Sequence, residues 1–138
     1  MWWIYALLAA FFAALTAIFA KIGVENVNSN LATAIRTIVV LIMISAIVYF
    51  RNEYKNIGEI TSKTWFFLTI SGVCTGLSWI FYFKALQIGE VSKVAGVDKL
   101  SLALTIIFSI VFLGETVSWK AGFGALLIII GTILLIFK

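Results

Sequence analysis

A chain of 138 residues with 63% hydrophobic and only 12% charged side chains is too apolar for an ordinary soluble domain, which carries about 25% charge. Its net charge of +4 could indicate nucleic-acid binding, but the basic residues are scattered between long apolar runs, which favours a role in membrane topology. There is no histidine, and the single cysteine, Cys74, cannot form an internal disulfide. We therefore predict an integral membrane protein without enzymatic activity, cofactor, metal site or nucleic-acid partner.

Five apolar segments follow one another, each of about 20 residues, and as helices each could cross a hydrocarbon core of ~30 Å. The predicted helices are approximately 2–24, 31–50, 65–86, 91–113 and 120–137. The first segment lacks the basic start and the A-x-A cleavage signal of a secretory signal peptide, so we expect it to span the membrane. The connections are short. The sequence thus predicts an all-α membrane protein with one domain over residues 1–138.

Polar side chains inside the spans are concentrated in the second, third and fourth. Arg36 lies in the second span, and spacings of three and four residues place a stripe on one face of each of the next two. The stripes are Ser71, Thr75, Ser78 and Tyr82 in the third span, and Asp98, Ser101, Thr105 and Ser109 in the fourth. The hydroxyls could bond to their own helix or to a neighbouring helix. Alternatively, the stripes could line a polar cavity, with the first and last spans as packing helices.

Three ionisable residues lie inside spans, where such groups are functional candidates by default. Neighbours on a helix point about 100° apart, so we expect Asp98 and Lys99 each to need a partner elsewhere, with Arg36 as the candidate for Asp98. Our hypothesis is that Lys99 or Arg36 meets an anionic group of a substrate, while Asp98 holds the cluster together or exchanges a proton. The alternative is a structural charge network in which Lys99 extends its stem towards the interface.

Trp79 and Tyr82 lie deeper in the third span than the aromatic residues near the segment ends, and aromatic faces can hold a cationic or flat substrate. Combined with the positive cluster, they favour a zwitterionic or amino-acid-like solute. The predicted substrate-binding residues are Arg36, Asp98, Lys99, Trp79, Tyr82, Ser78, Ser101 and Thr105.

The basic residues outside the spans do not favour either orientation under the positive-inside rule. With the N-terminus inside, four lie inside and four outside: Arg51, Lys55, Lys63 and Lys120 against Lys21, Lys84, Lys93 and Lys138. Either the basic residues between 51 and 63 set a single topology, or the chain inserts both ways. Two oppositely oriented copies would rebuild a ten-helix inverted repeat.

Four stretches together form a recognisable pattern. They are AKIG at the end of the first span, ATAIRTIVVL around Arg36, GLSWIFYFKALQIGEVSKV, and FLGETVSWKAGFGALLIIIGTILL with its L-G-E at Glu115. This pattern resembles the EamA family of the drug/metabolite transporter superfamily. The chain departs from the family pattern at Gly96, where a proline is expected early in the fourth helix. Small multidrug-resistance exporters are similar in size, but their first span carries a glutamate, and residues 2–20 here contain no carboxylate.

The resemblance implies a transporter of metabolites or drugs built from five-helix units, often two in one chain. Because this sequence has one unit, it implies an antiparallel homodimer, or pairing with a second half-size protein, in a prokaryotic plasma membrane. It implies alternating access to a central site. A non-transporting subunit that needs a second membrane protein and a flippase for a lipid-linked substrate are the alternatives.

Overall fold

The computed structural model describes residues 1–136 and contains five helical stretches long and apolar enough to cross a membrane. The helices are α1 (Trp2–Val24), α2 (Ser29–Phe50), α3 (Ser62–Ile88), α4 (Val91–Asp98), α5 (Leu100–Leu113) and α6 (Trp119–Ile136), with a 3₁₀ helix at Glu53–Glu59. Helices α4 and α5 together form the fourth span. The predicted all-α architecture with five spans is confirmed for the described residues. Phe137, the last residue of the predicted fifth helix, and Lys138 lie outside them.

The fourth span is interrupted at Lys99, within the segment 91–113 that the sequence predicted as one helix. The Lys99 N–H donates to the Gly96 carbonyl at 3.1 Å, and the Lys99 carbonyl accepts from Leu102 N–H at 3.1 Å, so both bonds span three residues. The Gly96 carbonyl also accepts from the Thr132 hydroxyl of α6 at 3.1 Å. A side chain that bonds into the backbone ladder of a helix is an established cause of a kink.

Two compact units make up the described chain. One contains Met1–Phe19 and the segment from Ile88 onward, and within it α6 packs against both α4 and α5. α4 and α6 approach closely at Gly96, where an added Cβ would lie 2.6 Å from the Leu135 Cδ1 atom. A side chain at this position would force Leu135 to move.

The second unit contains Ala20–Gln87, in which the 3₁₀ helix packs on α2. The ends of α1 and α3 cap each other. Lys21 Nζ donates to the Leu86 carbonyl at 2.7 Å, and Gln87 Nε2 donates to the carbonyls of Val24 at 3.4 Å and Val27 at 3.0 Å. Val24 and Leu86 lie at the ends of their helices, where carbonyls lack donors from their own helix, and Val27 lies in the connection that follows α1. Lys21 and Gln87 thus supply side-chain donors to all three carbonyls. Val24 and Leu86 are fully buried, which places the reciprocal caps in the best-packed part of this unit.

Most apolar side chains on the spans are exposed in the isolated chain, including Phe81, Val111 and Leu134. Helices satisfy their backbone hydrogen bonds internally, so an exposed apolar face suits lipid contact or contact with another membrane helix.

Asn28 caps the N-terminus of α2, since its Oδ1 accepts from the backbone N–H groups of Asn30 at 2.9 Å and Leu31 at 3.4 Å. We expect Asn28→Ala to lower the free energy of unfolding by about 1 kcal/mol, while Asn28→Ser retains most of the stability. Unfolding of the purified protein in mixed micelles, followed by circular dichroism, measures both variants. Equal stability of the alanine and serine variants would contradict a capping role.

Candidate functional site

Arg36 lies on two aromatic rings of α3. Its Cζ atom is 4.4 Å from the centroid of the Trp79 ring and 5.3 Å from that of Phe83. The two ring-bearing residues are four apart and therefore lie on one face of α3. Phe83 is buried, with 3% exposure, whereas Arg36 and Trp79 are each half-buried. The contact joins α2 to α3. Arg36 lies about 10 Å along the axis of α2 from the first residue of that helix, which is inside the span.

The charge of Arg36 has no carboxylate partner among the described residues of its unit. The acidic residues there are Glu25, Glu53 and Glu59, and Glu53 pairs with Arg51 at 2.9 Å. Tyr82 lies on α3 one position before Phe83. Cation–π contacts of this kind contribute about 0.5–2 kcal/mol, depending on how far they are removed from water.

Of the predicted site residues, the structure places Arg36 against Trp79, and Tyr82 lies three residues further along α3. Their role in binding a substrate stays a prediction. The predicted role of Trp79 as a platform for a substrate cation changes, however, because the cation on its ring is the protein's own Arg36. Ser78, the fourth predicted site residue of this unit, is exposed on α3.

Asp98 and Lys99 lie in the other unit, at the break between α4 and α5. The Lys99 Nζ atom is 3.5 Å from Asp98 Oδ2, with side-chain exposures of 62% and 40%. The expectation that each residue needs a partner elsewhere is therefore wrong. The helix is interrupted at this point, and the long lysine stem folds back to the carboxylate, so the 100° separation of helical neighbours does not keep the charges apart.

The hydroxyls of the two stripes bond mainly to their own helices. Thr75 donates to the Ser71 carbonyl at 2.9 Å, and Thr105 donates to the Ser101 carbonyl at 2.8 Å. Ser109 donates to the Ile106 carbonyl at 3.0 Å. Of the two interpretations of the stripes, these contacts favour local backbone bonding for the threonines.

Sequence reasoning missed Thr132, which is 3% exposed and joins α6 to the broken span through its bond to the Gly96 carbonyl. The available signal was that Thr132 is the only hydroxyl-bearing residue of α6. A polar group in an otherwise apolar span needs a hydrogen-bond partner, and the Gly96 carbonyl, with its two lone pairs, accepts from Thr132 as well as from the Lys99 N–H. By contrast, the G-x-x-x-G pair Gly72 and Gly76 has no atom within 4 Å of either added Cβ, so this face of α3 is open in the isolated chain.

The five spans, with charges confined to a few internal positions, define a multi-pass membrane protein. The model of the EamA-like transporter family matches residues 1–137, so the chain belongs to that family. It is 47% identical over 134 residues to an uncharacterized transporter in the cobO 3′ region of a Sinorhizobium species, covering 97% of this chain and 95% of that protein. It is 34% identical over 132 residues to an uncharacterized protein of Methanocaldococcus jannaschii, covering 96% of this chain and 93% of the relative. No solved structure matches the chain.

Proposed function

We propose that two copies of this chain, inserted in opposite orientations, form a transporter for a small polar metabolite or a drug-like solute. The observation that carries the proposal is an odd number of spans in one EamA unit whose basic residues are divided four and four between the two sides. A second, inverted copy supplies the other half of an inverted repeat, which is a common transporter architecture.

The lengths of the relatives support the same proposal. This chain covers 95% of one relative and 93% of the other, so each is also about the size of one five-helix unit. Both relatives come from prokaryotes, which favours the prokaryotic plasma membrane as the location of this protein.

In the proposed mechanism the opposed units rock about a central substrate site, so that the site opens to one side of the membrane at a time. The interruption of the fourth span at Lys99 supports this, because discontinuous spans are typical of transporter sites. The predicted residues of the broken span, namely Asp98, Lys99, Ser101 and Thr105, belong to the proposed site.

Orientation is tested by cysteine labelling in intact cells. Cys74 is replaced by alanine, and a single cysteine is introduced as Asn26→Cys between α1 and α2 or as Asn56→Cys between α2 and α3. Asn26 is preferred to Asn28, because Asn28 caps α2. Both chosen sites are exposed, and they lie on opposite sides of the membrane in any five-span topology. We expect an impermeant thiol reagent to label about half of the molecules at each site.

The Cys74→Ala protein without a new cysteine is the background control, and labelling after permeabilisation gives the total for each variant. Labelling of only one of the two sites would mean that all copies share one orientation. The homodimer would then be abandoned in favour of an oppositely oriented partner protein. Both-way insertion with no solute movement in liposomes by the purified protein would favour the flippase or the non-transporting subunit.

A further inference from the structure

We propose that Arg36, held against Trp79, binds an oxyanion group of the solute, either a carboxylate or a phosphate. The transported solute would therefore be a small organic anion with a flat or apolar body. This inference rests on the proposed transport function for its biological meaning, but the binding site itself can be tested without transport.

The first argument is the state of the guanidinium donors. The described contacts of Arg36 are with the rings of Trp79 and Phe83, and no described oxygen in Ala20–Gln87 accepts a hydrogen bond from its guanidinium. Aromatic rings attract the positive charge but are weak hydrogen-bond acceptors, so the N–H groups remain available. The planar fork of N–H donors matches the two oxygens of a carboxylate or phosphate.

The second argument is charge. A cation inside a span is costly unless an anion or water compensates it, and the acidic residues of this unit lie outside its spans. Lys99, the other candidate cation, already has the Asp98 carboxylate 3.5 Å away. Of the two cations that the sequence left open as anion contacts, the structure favours Arg36.

The third argument concerns the rest of the ligand. The rings of Trp79 and Phe83 give the cation an aromatic surface on α3, and Tyr82 lies between these two residues in the sequence. The sequence suggested a zwitterion because Trp79 could hold a substrate amine. In the structure Arg36 occupies the face of Trp79 towards α2, so a substrate amine is not needed there. An anionic head at Arg36 with an apolar or aromatic body against α3 fits these surroundings best.

Equilibrium binding to the purified protein in detergent tests the proposal with four probes of one shape. Benzoate and phenyl phosphate carry the oxyanion, benzylamine carries the opposite charge, and benzyl alcohol is neutral. We expect the two anions to bind at least tenfold more tightly than the other two probes. Arg36→Lys keeps the charge but loses the fork, and it should weaken anion binding about tenfold. Arg36→Met should abolish it.

Arg51→Lys and Arg51→Met are the matched controls, since Arg51 is an arginine at the end of α2, paired with Glu53 and 70% exposed. Both should leave anion binding within twofold of the unaltered protein. Circular dichroism and gel filtration establish that each variant is folded, and Arg36→Lys serves as the test if Arg36→Met is not.

Three results would overturn the inference. They are the absence of binding by either anion, anion binding that survives Arg36→Met in folded protein, and tighter binding of benzylamine than of benzoate. A lipid phosphate is the other source of the same chemistry. If phosphatidylglycerol added to the micelles binds in an Arg36-dependent way and neither soluble anion displaces it, the site holds lipid and the solute proposal fails. A single orientation in the labelling experiment would overturn the homodimer and leave this binding result standing.

Discussion

Replacing Lys21 by methionine and Gln87 by leucine together is expected to lower the free energy of unfolding by about 3 kcal/mol. Three backbone carbonyls lose their side-chain donors in this double variant: Leu86 near the end of α3, Val24 at the end of α1, and Val27 in the connection to α2. A partly buried acceptor without a donor costs about 1–3 kcal/mol, and bonds from charged donors lie at the upper end. Lys21→Met alone should therefore cost about 2 kcal/mol, and Gln87→Leu about 1 kcal/mol.

The Lys21 ammonium has a second advantage at this position. It lies in the last turn of α1 and donates near the last turn of α3, where the carbonyl ends of both helices favour positive charge. The matched control is Lys55→Met, which removes an exposed lysine from the 3₁₀ helix. Unfolding in mixed micelles, followed by circular dichroism, measures all four variants. If the double variant is no less stable than Lys55→Met, the reciprocal caps contribute nothing to the fold.

The features that the sequence predicted are those that depend on local composition. Twenty apolar residues in a row must span the membrane as a helix whatever surrounds them, so the number of spans followed directly. Arg36, Trp79 and Tyr82 were chosen as candidates because a charged residue and deep aromatics are exceptional in a span, and their role stays a prediction. The contact between Arg36 and Trp79 was not predicted, since Arg36 was assigned to Asp98.

The features that the sequence did not predict depend on contacts between helices. The break at Lys99 involves Thr132, which comes much later in the chain, and the caps of α1 involve Gln87 of α3. Lipid tails are as apolar as leucine, so the lipid-facing and protein-facing sides of a membrane helix can both be apolar. The spacing of apolar residues therefore does not indicate which side packs against a neighbouring helix. The close contact between Gly96 of α4 and Leu135 of α6 was also not predictable, because it joins residues on two different helices.

Removing one charge of the Asp98–Lys99 pair is expected to destabilise the protein, and removing both is expected to restore it. The variants are Lys99→Met, Asp98→Asn and the two together. Each single variant leaves one uncompensated charge about a third of the way into the fourth span, whereas the double variant leaves none. An unpaired charge at the centre of a span costs about 2.5–3.5 kcal/mol on insertion scales, and the cost decreases towards the interface.

The two single variants should differ in a definite direction. Lys99→Met leaves the short Asp98 side chain, which cannot reach the interface, so we expect a loss of about 2 kcal/mol, below the cost at the centre of a span. Asp98→Asn leaves Lys99, whose long stem can carry the ammonium to the headgroups, so we expect about 1 kcal/mol. Unfolding in mixed micelles and the yield of folded protein from membranes measure the order. A double variant no better than Lys99→Met, or a reversed order of the two singles, would contradict compensation within the pair. Recovery of stability without recovery of solute uptake in liposomes would mean that the charges at the break take part in transport, since the fold no longer depends on them.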